Sequence, residues 1–262
     1  MEKYIFDTAA FLKDLNRRFE EEELIHDFKV FIDYIVKNKI KLTPKNGWIP
    51  RKHIYAINSL FKSPKQLEDK VGDKIFKLRE EPQYSRFYFL DLLAGASGCI
   101  ELSEKNMLIE GGEYKYFMQM GGIDKKRWLV LSWWFAMDWE NWMQEGNFGG
   151  LMQKKKFLLG SYLQSWLDKR GRVDFKKICK DLRNGLNLRW EAPSQDYAKE
   201  LINWGIERCL LLPLVYFNII ELVHKKDKFG IEQTIGFYIK PLGRIFLEEI
   251  IEIMRKNQAR QN

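Results

Sequence analysis

Twelve Lys/Arg stand against three Asp/Glu between residues 37 and 79, and eleven against three between 154 and 189. The whole 262-residue chain carries only +8, so the rest of it is net acidic. Cations gathered this way are suited to neutralising phosphates, because each contact releases a condensed counterion. The candidates in the first island are Lys45, Arg51, Lys52, Lys62 and Lys65. In the second they are Lys154, Lys155, Lys156, Arg172, Lys176, Lys177, Lys180 and Arg183. Lys225, Lys226 and Lys228 form a third, smaller group. The bland reading of any of these lysines is a solvated helix face.

Other reactive residues form no such pattern. His26, His53 and His224 lie far apart with no HxxxH or HxH spacing, so no histidine metal site is visible. Asp138, Glu140 and Glu145 cluster, but no His, Lys or Ser pattern accompanies them for acid–base work. Gly111–Gly112 and Gly121–Gly122 do not precede the Lys-Ser/Thr of a phosphate loop. Ser97 follows an apolar helical run instead of a strand, and so lacks a nucleophile elbow. We expect no cofactor, no metal and no catalysis.

The bulk properties set the frame. With 45% apolar and 15% aromatic residues the chain can bury an aromatic core. Cys99, Cys179 and Cys209 are odd in number and widely spaced, which fits a reducing compartment. The N-terminal stretch has no run apolar enough for a signal peptide, and Cys209–Val223 is broken by Pro213, Asn218 and Glu221. A cytoplasmic protein without membrane contact is the expectation.

The elements that would position the cations read as follows. A short helix over 5–18, with Asp7 or Thr8 to cap it, precedes a helix from Glu20 to Val36. The stripe of that second helix is Leu24, Ile25, Phe28, Phe31, Ile32 and Ile35. A minimal strand at Ile40–Leu42 leads to a helix from Pro50 to Phe61 with Ile54, Ile57, Leu60 and Phe61 inward. Ser63, Pro64 and Gln66 predict another helix over 64–79. Tyr84–Ala94 is an apolar helix, and Cys99–Leu102 with Met107–Glu110 a hairpin. A Trp-rich helix spans 123–144, and Gly146, Gly149 and Gly150 break the chain after it.

The second half repeats the order. It has a helix over 152–168, a strand at Arg172–Val173 and a helix capped by Asp174. A helix from Gln195 to Leu211 ends at Pro213. Strands at Asn218–His224 and Thr234–Lys240 and a last helix from Pro241 follow, with 257–262 expected to be disordered.

Ile235–Gly236–Phe237–Tyr238–Ile239–Lys240–Pro241–Leu242–Gly243–Arg244 resembles the wing strand and final helix of prokaryotic winged-helix modules, and Ile219–Val223 the preceding wing strand. Leu42–Thr43–Pro44–Lys45–Asn46–Gly47, followed by Ile49–Lys52, is similar to their first strand and second helix. The resemblance implies a mostly α fold with short β-hairpins as wings. Two tandem modules, 1–122 and 151–262, would be joined by a Trp-rich connecting helix over 123–150. It also implies a third helix in the major groove of duplex DNA and a wing along the backbone.

The third helices depart from base-reading members of that family. Tyr84–Ala94 offers only Arg86 and Asp91, and Gln195–Leu211 sets Lys199 and Arg208 against Asp196, Glu200 and Glu207. Asn203, Gln195 and Lys199 are the best available readers. Two functions therefore stand side by side. One is non-catalytic DNA binding through phosphates, as a regulator or an accessory subunit of a DNA-processing complex. The other is a protein-interaction adaptor docking through apolar surfaces, with Trp128, Trp139 and Trp142 as the partner-binding candidates. The competing reading of these tryptophans is an inter-module core.

Overall fold

A computed structural model describes residues 8–71, 74–145 and 147–260, with side chains throughout except at 8–12, 69–71, 75 and 76. Asp7, Gly146 and residues 261–262 lie outside the described residues. The described chain is mostly helical, with short antiparallel strands in small sheets. It groups into two compact units, Met1–Met137 and Asp138–Asn262.

In the first unit, α1 (Thr8–Glu20) precedes α2 (Glu23–Asn38), whose six-residue apolar stripe is wholly buried. α2 ends where Lys39 turns left-handed. Residues 40–42 then run antiparallel to 106–108: Leu42 N donates to Asn106 O, Leu108 N donates to Ile40 O, and Lys41 bridges Met107. Pro50 opens α3 (Arg51–Asn58), as its preset φ favours. Ile54, Ile57 and Phe61 face inward as expected, but Leu60 is exposed.

The helix expected over 64–79 is instead a hairpin, β1 (Glu68–Val71) and β2 (Lys74–Lys77). Asn58 decides this locally. Its side chain accepts from Lys65 N at 3.0 Å and donates to Lys65 O at 2.9 Å, holding the entry extended. Gln66 donates to Glu68 O and makes no cap.

The apolar helix follows as α4 (Ser85–Ala96), then β3 (Ile100–Leu102) and β4 (Leu108–Glu110), paired Leu102 to Leu108. Two helices not anticipated as separate elements close the unit, α5 (Tyr114–Gln119) and α6 (Gly122–Leu131). α6 runs into a π-helical turn at Ser132–Ala136.

The Trp-rich segment is therefore not one helix. Met137 is extended, and Asp138 starts α7 (Trp139–Met143) by accepting from Glu140 N at 2.8 Å and Asn141 N at 3.2 Å. This is a side-chain cap that ends one helix and begins another. The second unit continues with α8 (Phe148–Lys154) and α9 (Lys156–Leu167), separated at Lys155.

Gly149 and Gly150 do not break the chain. They lie inside α8, and a Cβ on Gly149 would sit 1.9 Å from Trp139 O. Glycine is required there because the α8 backbone packs directly on α7.

β5 (Val173–Asp174) leads to α10 (Phe175–Gly185), whose cap Asp174 accepts from Lys177 N at 2.8 Å. Ser194 caps α11 (Gln195–Ile206). A π-helical turn at Glu207–Leu211 carries the helix on into α12 (Leu212–Tyr216). Pro213 thus does not end the helix: it falls in the first turn of α12, where its missing N–H costs nothing.

β6 (Ile220–Lys226) and β7 (Glu232–Ile239) form a long hairpin, and β5 pairs with β7, giving the sheet order β5-β7-β6. α13 (Pro241–Ala259) packs against α9, with Phe246, Leu247, Ile250 and Ile251 buried. Residues 257–259, expected to be disordered, are its last turn.

Candidate nucleic-acid interface

Cations gather most openly at the β6–β7 hairpin. Lys225 and Lys226 are exposed on β6, opposite Gln233 and Glu232. Lys228 is exposed in the connecting loop, its Nζ 4.9 Å from the Phe229 ring centre. The loop is built by Asp227. One carboxylate oxygen accepts from Phe229 N at 2.8 Å and Ile231 N at 3.0 Å, and the other from Gln233 Nε2 at 3.3 Å. Gly230 supplies the left-handed residue, with φ +81°.

On α10, Lys176 and Lys180 are exposed, and Lys177 is exposed but paired at 2.8 Å with Asp181. Arg183 is half-buried and Arg172 exposed. Lys154 is exposed at the end of α8.

Lys155 and Lys156 depart from the expectation for this cluster. Lys155 Nζ donates to the carbonyl of Leu186. Lys156 lies over the Trp139 ring at 4.4 Å, and burial pushes its pKa down to about 7. A half-neutral ammonium stacked on indole is a poor phosphate contact, so both belong to the packing of the second unit.

In the first unit Lys45, Arg51, Lys52, Lys62 and Lys65 are all exposed. Lys62 donates to Glu21 O, and Lys65 stacks 5.4 Å over Tyr84. Lys65 also shares an open groove of about 350 Å³ with Lys77 of β2 and with Arg79 just beyond it, in the stretch expected to be a helix.

Neither third helix presents a base-reading face. On α4, Arg86 is committed to Glu23 and to the fully buried Asp27, at 2.8 Å from the latter. Asp91 hydrogen-bonds the buried Glu81, and burial raises its pKa to about 6. On α11, Lys199 pairs with Asp196 at 2.8 Å and Asn203 is half-buried. α11 exposes Gln195 in its first turn, together with the Lys199–Asp196 pair and Glu200, and two aromatics, Tyr197 at 50% and Trp204 at 37%. Arg208 sits 5.0 Å from the Trp142 ring and 5.7 Å from that of Trp204.

The tryptophans correct a second expectation. Trp139 and Trp142 are completely buried, and Trp142 Nε1 donates to Arg208 O at 3.0 Å. They are core residues of the second unit and cannot form a docking surface. Trp128 is half-buried in the first unit, donates to Ser97 O, and lines an open groove of about 540 Å³ with Tyr116 and Arg127.

Among the described residues no cluster of three metal-ligating side chains occurs, and no helix is long and apolar enough to cross a membrane. Compared with protein-family models, with curated proteins and with solved structures, the chain matches none.

Proposed function

We propose that the protein is a non-catalytic duplex-DNA-binding protein of winged-helix type, a regulator or an accessory subunit of a DNA-processing complex, that holds DNA by its phosphates. The observation that carries this is the exposed, lysine-bearing β6–β7 hairpin on the β5-β7-β6 sheet. It follows α9, β5, α10 and α11 in the order of a winged helix, in which the hairpin is the wing. The first unit supports the same reading. Its α2, residues 40–42, α3, α4 and the β3–β4 hairpin come in that order, with the β1–β2 hairpin inserted between α3 and α4 and with 40–42 against β4. Because α4 has its charges satisfied internally, the contacts fall on the wing of the second unit and on exposed lysines, and affinity is largely independent of base sequence.

The test is binding to a labelled duplex and to a single strand at two salt concentrations. With about six phosphate contacts, affinity falls roughly a thousandfold between about 50 and 200 mM salt. Duplex is preferred over single strand. No binding at low salt overturns the proposal.

One observation favours a protein-docking role beside it, the exposed pair Tyr197 and Trp204 on α11. Under that reading Tyr197→Ser with Trp204→Ser leaves duplex affinity unchanged and abolishes capture of a co-purifying protein; a loss of duplex affinity assigns the face to DNA instead.

A further inference from the structure

We propose that the tip of the β6–β7 hairpin is a preformed apolar wedge that enters the minor groove of duplex DNA and unstacks a base step. This rests on the duplex-binding reading above and adds to it a deformation of the DNA. Phe229 and Ile231 are 74% and 62% exposed, the most exposed large apolar side chains among the described residues. The two stand together at one loop tip. Their setting says which partner. Lys228 Nζ lies 4.9 Å from the Phe229 ring centre, and Lys225 and Lys226 precede the loop on β6, Lys226 facing Glu232 across the strands. Asp227 also carries a negative charge, its oxygens accepting from Phe229 N, Ile231 N and Gln233, so residues 225–232 keep a small positive balance.

An apolar point with exposed lysines beside it matches the minor groove, where apolar base faces lie between two rows of phosphates. The groove is only about 6 Å wide, so it admits side chains and not a helix. Apolar wedges that unstack one step and kink the duplex are a recurrent solution there. A lipid surface fits less well. Phe229 and Ile231 together offer fewer apolar carbons than one myristoyl chain, which holds a membrane only marginally.

The wedge is also rigid. Besides the three bonds to the Asp227 carboxylate, Asp227 N donates to Ile231 O at 2.9 Å and Gly230 N to Asp227 O at 3.1 Å. Little conformational freedom is left to lose on insertion.

The experiment uses the full chain and a duplex carrying 2-aminopurine at its centre and a dye pair at its ends. It compares wild type, the double variant Phe229→Ala/Ile231→Ala, and the triple variant Lys225→Ala/Lys226→Ala/Lys228→Ala. Wild type should raise 2-aminopurine fluorescence and shorten the end-to-end distance. The double variant should lose both signals and bind about tenfold or more weakly, the value of one buried aromatic side chain, with an unchanged salt slope. The triple variant should lower the salt slope by about three.

If the double variant unstacks, bends and binds as wild type does, the wedge is wrong while duplex binding stands. If wild type does not bind duplex at all, the functional reading fails and takes the wedge with it. Phosphatidylserine vesicles are the remaining arm: binding that requires Phe229 and Ile231, with duplex signals that do not, overturns the wedge in favour of a lipid surface.

Discussion

Single residues carry more of the first unit's stability than its charge pattern suggests. Asp27 is fully buried and held by Arg86 and by Lys62 N at 2.8 Å. Removing the guanidinium leaves a buried carboxylate without its counterion, so Arg86→Ala should cost about 3–5 kcal/mol in denaturant unfolding. A loss below about 1 kcal/mol would mean that the ion pair is incidental.

The Glu81–Asp91 pair makes a pH prediction. Burial raises both carboxyls, Asp91 to about 6; Asp91 raises Glu81 further, while the hydrogen bond from Glu81 favours the charged form of Asp91. The folded chain therefore holds more protons than the unfolded chain between the ordinary carboxylate range and about pH 6. Stability from this pair is complete at about pH 4 and is lost as pH rises through about 6. Relative to wild type, Asp91→Asn should flatten that fall by on the order of 2 kcal/mol, measured as unfolding free energy at pH 4 and pH 8. Parallel curves would show that the two carboxyls do not share a proton.

At the scale of elements, the close approach of α7 and α8 depends on one missing methyl group. Gly149→Ala places a Cβ against the Trp139 carbonyl. It should destabilise the protein by at least about 2 kcal/mol, read as a lowered melting temperature. Gly230→Ala, at a solvent-exposed turn with positive φ and open space around it, should cost only about 1 kcal/mol.

The stretch 64–79 shows how much an element can hide. Ser63, Pro64 and Gln66 are good helix-start residues, yet Gly72–Asp73 between two short segments is also a hairpin signal. The side chain of Asn58, on another element, settles the choice by holding Lys65 extended. Where the periodicity was long, as along α2, helix and buried face were both legible, because several turns of apolar spacing outweigh local caps.

For the molecule as a whole, all three cysteines are free and buried, Cys99 in the first unit and Cys179 and Cys209 in the second. Burial pushes Cys99 up to about 11 and Cys179 to about 12, and raises Cys209 as well. No thiolate is available to attack a disulfide reagent near neutral pH. The native protein should therefore react with none of its thiols, and the denatured protein with all three. Between the two states, the number of reactive thiols reports which unit opens first: one for Met1–Met137, two for Asp138–Asn262. Fast reaction of any thiol in the native state would contradict the burial.

What the sequence determined by itself was local or additive. The long amphipathic helices, the capped start at Asp174, the β3–β4 and β6–β7 hairpins and the two basic islands all follow from residues close together in the chain. Only the tertiary structure decided which cations and aromatics are available to a ligand. Exposure depends on residues far apart in sequence. Lys155 is taken by Leu186, Trp142 by Arg208 and Arg86 by Asp27, whereas Phe229 and Ile231 extend from a loop that Asp227 holds. Charge and hydrophobicity can be counted along a chain, but whether a group is already satisfied is fixed by its neighbours in space.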